Sequence, residues 1–336
     1  MTDRPSSFLI VRLGSMGDVI HAIPAVAALR ARDPAARIDW LVDRRYAAVP
    51  HLVEGVDHAI PVDTRGGVGA LLRTIRQLRG ASYDAAVDLQ GLLKSAVLAR
   101  AAGARRTLGF PRDRLREPSA RFFYSETTDP GHDPHVIGKN LGLMRALGVE
   151  DQRVSFPLRV PRTVTGDTVA SGFGPEGYAV INPGASWLSK RWPPERFGAV
   201  AAEIRARLGL RSLVLWGPGD EDVASLVAGA SRGAADVSPR TTIVDLFAIA
   251  KRAKLMISGD TGPLHVAAAV GTPIVGLYGP TRAERNGPWD RTDITLSRST
   301  RCFCHDERRC RLLQPCLESI GVDEVVSAAE YRVARG

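Results

Sequence analysis

The stretch Phe8-Leu-Ile-Val-Arg-Leu-Gly-Ser-Met-Gly-Asp18 opens on a buried-strand pattern, passes through a glycine-bearing turn and enters an apolar helix expected over Asp18–Arg32. Ile38–Val42 follows as a second strand, so the segment reads as one βαβ unit. The pattern then repeats. Strands are expected at His58–Val62, Ala85–Leu89 and Arg106–Gly109, with helices at Val68–Arg79, Lys94–Ala102 and Val136–Leu147. Because each crossover lays a helix on a face of the sheet, the natural solution is a parallel sheet covered on both sides. A Pro- and Gly-rich passage from about Val154 to Gly177 reads as a linker. Beyond it the alternation restarts, with strands Ala179–Asn182, Ser212–Trp216, Leu255–Ser258 and Ile274–Tyr278. Helices are expected between them near Pro194–Leu208, Asp222–Ala228, Val244–Arg252 and Pro263–Val270. The expected fold class is therefore α/β: two Rossmann-like domains, 1–160 and 175–336, facing each other across a cleft.

A chain of 336 residues fits two domains of roughly 150 residues each. Hydrophobic residues make up 44% and charged residues 24%, and no run approaches the ~18 apolar residues of a spanning helix. The start, Met1-Thr-Asp-Arg-Pro-Ser-Ser7, leads into the first strand without the apolar core of a signal peptide, so a cytoplasmic protein is expected, with peripheral membrane contact left open. Forty-five Lys and Arg against 36 Asp and Glu leave a net charge of +9, which points to acidic partners. The basic residues are scattered and carry no nucleic-acid-binding signature, which sets nucleic acid aside in favour of an anionic sugar or lipid headgroup.

Ser258-Gly-Asp-Thr-Gly-Pro-Leu-His265 follows an apolar strand and opens an Ala-rich helix, as a phosphate cradle does. Two glycines let the backbone approach a ligand, and Asp260 and Thr261 are placed to cap the helix that follows. Leu13-Gly-Ser-Met-Gly-Asp18 brings Asp18 to another helix start, as an N-cap or as a general base. It lacks the spacing of the dinucleotide fingerprint. In Asn182-Pro-Gly-Ala-Ser-Trp-Leu-Ser-Lys-Arg-Trp-Pro193, Gly184 and Ser186 can approach phosphate, and Lys190 offers a compact charge for a diphosphate leaving group; the bland alternative is a solvated surface loop. Asp220 and Glu221, after Trp216-Gly-Pro-Gly, suit either ribose hydroxyls or the first turn of a helix. Arg112, Arg114, Arg116 and Arg121 crowd one loop region and suit carboxylates and phosphates of an acceptor, unless they are merely solvated. All four cysteines fall within Cys302-Phe-Cys304 and the following Cys310 and Cys316, beside His305. Their spacing matches neither a zinc ribbon nor a Cys-x-x-Cys redox motif, which leaves a structural metal, a redox-labile pair or unbonded thiols open.

Taken together these segments resemble the lipopolysaccharide core heptosyltransferases, the ADP-heptose-dependent glycosyltransferase family 9, over nearly the whole chain. The resemblance rests on Arg12-Leu-Gly-Ser-Met-Gly-Asp-Val-Ile-His21, Asp88-Leu-Gln-Gly-Leu-Leu-Lys-Ser95, Arg116-Glu-Pro118, His135 and Asn140. In the second half it rests on Asn182-Pro-Gly-Ala185, Lys190-Arg-Trp-Pro193, Gly259-Asp-Thr-Gly-Pro-Leu-His265 and Leu277-Tyr-Gly-Pro-Thr281. The Gln-Gly-Leu and Arg-Glu-Pro segments look most like the branch that adds the first heptose. What the resemblance implies is a GT-B fold and an inverting transfer from ADP-heptose to Kdo-lipid A beside an anionic membrane surface, with no cofactor. It implies Asp18 as the base, Lys190 at the diphosphate, Asp260, Thr261, Gly262 and His265 in the donor loop, and Lys94 and Arg116 facing the acidic acceptor. The cysteine tail maps to no feature of the enterobacterial type. A nucleotide-sugar epimerase of the same architecture and a non-catalytic nucleotide-sugar-binding module are the competing readings. The arginine loop argues against the first, and Asp18 would be superfluous in the second.

Overall fold

Strand β1 (Ser7–Val11) is buried along its whole length, as a continuous apolar run demands when helices cover both faces of a parallel sheet. It lies at the centre of the first of two compact units, Met1–Arg159 and Val160–Gly336, of a computed structural model that describes residues 6–305, 307–310 and 315–335. In the first unit β1 is joined by β2 (Arg37–Asp43), β3 (His58–Val62), β4 (Ala85–Asp88), β5 (Arg106–Gly109) and β6 (Glu126–Thr127), all parallel, in the order β3-β2-β1-β4-β5-β6. The connecting helices are α1 (Met16–Ile20), α2 (Ile23–Arg32), α3 (Ala48–Leu52), α4 (Gly67–Arg79), α5 (Leu93–Ala101) and α6 (Val136–Met144). Leu9, Val11, Leu41, Ile60, Leu78, Tyr83 and Leu98 form one buried cluster of this unit.

The second unit repeats the plan. Its strands β7 (Tyr178–Asn182), β8 (Arg211–Val214), β9 (Ala235–Val237), β10 (Leu255–Gly259), β11 (Ile274–Tyr278) and β12 (Ile294–Ser297) are parallel in the order β12-β11-β10-β7-β8-β9. Counted from its own first strand, that is the same winding as in the first unit. The helices are α7 (Val164–Phe173), α8 (Pro194–Leu208), α9 (Glu221–Ala230), α10 (Ile243–Arg252), α11 (Gly262–Ala269), α12 (Ala283–Asn286) and α13 (Val322–Val333). Ile181, Phe197, Ile204, Val214, Ile257, Val275 and the terminal Val325, Val326 and Ala329 share its core. In this winding the chain leaves the central strands in opposite directions between β1 and β4 and again between β7 and β10. A crevice therefore opens at the carboxyl ends of each pair, and ligands of doubly wound sheets sit in such crevices.

Three expectations change. The single helix expected over Asp18–Arg32 is two, broken at His21 and Ala22, because Pro24 has no N–H to donate and takes the second position of a fresh helix. The passage read as linker contains α7, whose N-cap Thr163 accepts a hydrogen bond from the Gly166 N–H at 2.9 Å and whose Gly166 carbonyl receives Arg252. The edge strands β6, β9 and β12 and the terminal helix α13 were not anticipated. The edge strands have two to four residues and lack an uninterrupted apolar run.

Candidate active site

In the first unit the loops after β1 and β4 meet at the carboxyl ends of their strands. Gly14 has φ +155°, and a Cβ there would meet the Tyr46 ring at 2.7 Å, so only glycine lets the chain turn at this point. Ser15 is the N-cap of α1 and Asp18 the third helical residue, which corrects the view of Asp18 as the cap itself. The Asp18 carboxylate accepts from the Ser15 N–H at 3.0 Å and the Ser15 hydroxyl at 2.9 Å through Oδ2, and from Arg12 at 2.6 Å through Oδ1. Burial works against its charge, yet Arg12, His21 and Ser15 prevail and hold the carboxyl down from its ordinary 3.8 to about 2. Its side chain remains 33% exposed, whereas that of Arg12 is 8% exposed. Of roughly four lone-pair sites on a carboxylate, three are taken among the described residues, and one on Oδ1 remains.

The loop after β4 locks this arrangement from the other side. Gln90 accepts the Leu13 N–H at 2.8 Å, and Arg12 donates to the Leu89 carbonyl. Asp88 is fully buried and accepts from the N–H groups of Gln90 and Gly91 and the hydroxyls of Ser95 and Tyr124, so its part is structural. His135 caps α6 through Nδ1, and Asn140 donates to the His21 carbonyl at 3.0 Å; both brace the scaffold.

The expected acceptor residues divide. Glu117 accepts the Leu93 N–H at 2.7 Å at the start of α5, which brings the Arg116 segment alongside Lys94. Arg116 and Arg112 are exposed and outside any ion pair among the described residues. Lys94 is exposed too, although its ammonium donates to the Thr64 carbonyl at 2.6 Å. Arg121 is half-buried and donates to the Tyr124 carbonyl at 3.0 Å, a brace for its own turn and a correction to its place among free acceptor-binding groups.

In the second unit the loops after β7 and β10 meet. Asn182, the last residue of β7, places Nδ2, with its two N–H donors, 3.1 Å from each of the Gly184 carbonyl, Ser258 Oγ and Thr261 Oγ1. Lys190 reaches across to Asp260 at 2.6 Å and lies 4.7 Å from the centroid of the Trp187 ring. Asp260 also accepts from Asn286 at 2.7 Å and pairs with His265 Nε2 at 3.2 Å. Burial alone would raise Asp260, but His265 and Lys190 outweigh it and hold the carboxyl far below the usual range. The expectation that Asp260 and Thr261 cap the next helix is corrected. Thr261 is the N-cap of α11 by position, but its hydroxyl is engaged with Asn182 and Ser258, and no side chain caps the helix. With Pro263 donating nothing, no side chain among the described residues caps the first-turn N–H groups of Gly262 and Leu264, which lie at the positive end of the helix, where an anion is favoured.

Gly184 is held close to Asp220, whose carboxylate would lie 2.5 Å from a Cβ. Asp220 pairs with Arg191 at 2.7 Å, and Glu221 is the exposed first residue of α9, so these two serve the loop and the helix start. Ser186 is exposed. Sequence reasoning missed Arg12, Ser189, Arg191 and Asn286. Ser189, next to Lys190, is buried, donates its hydroxyl to the Glu307 carbonyl at 2.6 Å and its N–H to the Arg308 carbonyl at 3.3 Å.

Those carbonyls belong to the cysteine segment, whose four thiols carry no disulfide. The Cys304 and Cys310 sulfurs lie 3.3 Å apart, and the Cys304 N–H donates to the Cys302 sulfur at 3.4 Å. Burial and the neighbouring Cys302 and Cys310 sulfurs push the Cys316 thiol up to about 12. Among the described residues no group of three or more His, Cys, Asp and Glu side chains is arranged to hold a metal ion.

The model of glycosyltransferase family 9 (heptosyltransferase) matches residues 71–315. Lipopolysaccharide heptosyltransferase 1 of Pseudomonas aeruginosa is 31% identical over 311 residues, 88% of this chain and 84% of that protein. The Escherichia coli K12 protein of the same name is 28% identical over 291 residues, 81% and 88% of the two chains. Among solved structures, the E. coli heptosyltransferase WaaC with ADP-2-deoxy-2-fluoro heptose superposes with a TM-score of 0.74 at 25% identity, covering 96% of this chain and 99% of that one. The family 9 glycosyl transferase of Veillonella parvula gives a TM-score of 0.84 at 24% identity, covering 100% and 99%, a likeness of fold.

Proposed function

The chain belongs to glycosyltransferase family 9 and is a heptosyltransferase of lipopolysaccharide core biosynthesis, and on that premise we propose that it moves heptose from ADP-heptose to Kdo-lipid A with inversion at the anomeric carbon. The observation that carries the donor assignment is the Lys190–Asp260–His265 cluster set before the uncapped start of α11. A fixed ammonium and uncapped backbone N–H groups suit a diphosphate, and WaaC, which is similar over nearly its whole length, was solved with an ADP-heptose analogue. The C-terminal domain, with Gly184, Ser186, Asp260, Thr261, Gly262 and His265, is accordingly read as the donor side. The N-terminal domain, with Lys94, Arg112 and Arg116, is read as the acceptor side.

Asp18 would take the proton from the acceptor hydroxyl as that oxygen attacks the anomeric carbon. Its remaining lone pair and its exposure favour this role, and its low pKa keeps it ionised at any physiological pH. The bond from the anomeric carbon to the diphosphate oxygen breaks in the same step. Lys190 and the α11 N–H groups would meet the charge that develops there, with no group on the chain forming a covalent intermediate. The decisive experiment incubates the purified chain with ADP-heptose, with and without truncated Kdo-lipid A. Heptosylated acceptor is expected; isomerised donor, or binding with no transfer, overturns the reading.

No helix among the described residues is long and apolar enough to cross a membrane. The site reading includes peripheral contact with an anionic membrane surface, supported by exposed Arg112, Arg114 and Arg116 next to Phe122, which is 80% exposed. Arg116→Ala should raise the acceptor KM by about tenfold, in line with the ~1.5 kcal/mol of a hydrogen bond to a charged group, and leave the donor KM nearly unchanged. Acceptor affinity of the wild-type chain should also fall with salt. A larger change in donor KM would move the acceptor site elsewhere.

A further inference from the structure

Among the described residues the cysteine segment reaches the donor cluster's neighbourhood at Ser189. Ser189, directly before Lys190, is gripped by the Glu307 and Arg308 carbonyls, and both of these lie inside the short loop bracketed by Cys304 and Cys310. The sulfurs of that bracket are 3.3 Å apart, in contact but unbonded. A disulfide needs about 2.05 Å, so bond formation must draw the two sulfurs closer and shift Glu307 and Arg308, which precede Cys310. Cys304 is 3% exposed, whereas Cys310 is partly accessible and follows the exposed Arg308 and Arg309. An anionic oxidant would therefore arrive at Cys310.

We propose that Cys304 and Cys310 form a reversible dithiol/disulfide couple whose state is transmitted to Lys190 through Ser189. The oxidant class is a small anionic disulfide such as oxidised glutathione. The Cys310 sulfur attacks it, its S–S bond breaks, and one thiol leaves carrying a proton. Cys304 then displaces the second thiol from the mixed disulfide. Two protein thiols are oxidised and one external disulfide is reduced to two thiols. Cys302, behind the Cys304 N–H, and Cys316, against Gly279, stay reduced and keep the segment seated.

The effect on transfer rests on the reading of Lys190 as the diphosphate contact. The test treats the full chain with oxidised glutathione or with dithiothreitol, counts thiols, maps the bonded peptides and measures transfer. Oxidation should lower the four titratable thiols to two, with Cys304 bonded to Cys310. Turnover should fall by about 10–100-fold, as a displacement on the order of 1 Å can cost, and dithiothreitol should restore it. Cys310→Ser should keep the reduced rate and lose the response. Ser189→Ala removes the hydroxyl's hold on Glu307 and keeps the backbone N–H on Arg308, so it should still form the bond while its rate depends on it several-fold less, an outcome that a purely structural loop would not give. A different pairing, four thiols surviving oxidation, or a stoichiometric metal protecting them overturns the couple. A Cys304–Cys310 bond with unchanged turnover overturns the coupling. If Lys190→Ala turns over normally, the donor reading falls instead, whatever the thiols do.

Discussion

Asp18→Asn is expected to cut heptose transfer by at least ~10²-fold, the lower end of what a positioned general base supplies. Asparagine can still accept from the Ser15 N–H and hydroxyl through its one carbonyl oxygen, so α1 keeps its first-turn contacts. It cannot answer the buried Arg12 guanidinium, and that has a cost: an ionic partner lost from a buried group is worth about 1–3 kcal/mol. The variant should therefore melt earlier yet remain folded, and transfer must be measured well below its melting temperature. The pH dependence separates the two effects. The folded-state pKa of Asp18 lies below its unfolded value, so the stability it adds is present above about pH 4 and lost as pH falls through about 2. The stability gap between wild type and Asp18→Asn should narrow over that window, whereas the transfer defect should stand unchanged from pH 6 to 8. Near-normal transfer by a folded Asp18→Asn protein would leave Asp18 a helix-start and ion-pair residue only.

Lys190→Ala should lower turnover by about 10²–10³-fold, because the developing diphosphate charge loses a fixed donor worth roughly 2.7–4 kcal/mol. It should also destabilise the second unit. Asp260 is 3% exposed at its side chain, and removing one partner of a buried ion pair typically costs about 3–5 kcal/mol. Asn286 and His265 remain on the carboxylate and bring the expected loss toward the lower bound. A Lys190→Ala, Asp260→Asn double variant removes both charges and should regain much of the stability. Its turnover should stay low. Recovery of turnover together with stability would show that Lys190 only steadies the loop.

The central strands were legible because burial on both faces turns them into plain apolar runs such as Phe8–Val11 and Ile274–Tyr278. The loops after β1, β7 and β10 were legible for a different reason: glycines next to polar side chains at strand ends have few other uses. What those side chains bind was not. Lys190 and Asp260 are 70 residues apart in sequence, Ser189 and Glu307 118, and Asp260 and Asn286 26. A partner chosen by tertiary folding leaves no local periodicity, so Ser189 and Asn286 looked like ordinary residues and Arg12 stood in its motif with no role attached. Pro24 was a readable break that the strong apolar pattern around it obscured. Thr261 was misread because its cap geometry is right while its hydroxyl is used elsewhere.

The terminal helix α13 lends four residues to the core around β7, β10 and β11. Seen from the ribosome, this divides the chain's history in two. Every strand of the first sheet has been made by residue 127, and that unit's contacts are complete by Arg159, so it can fold while the rest is still being synthesised. The second sheet has all its strands by residue 297 but must wait for residues 322–333 to close its core. During that interval a nearly finished parallel sheet stands with apolar surface uncovered. Chaperone dependence, and any loss from a premature stop, should therefore fall on the half read as the donor side, even when the missing residues lie far along the chain from Lys190 and Asp260.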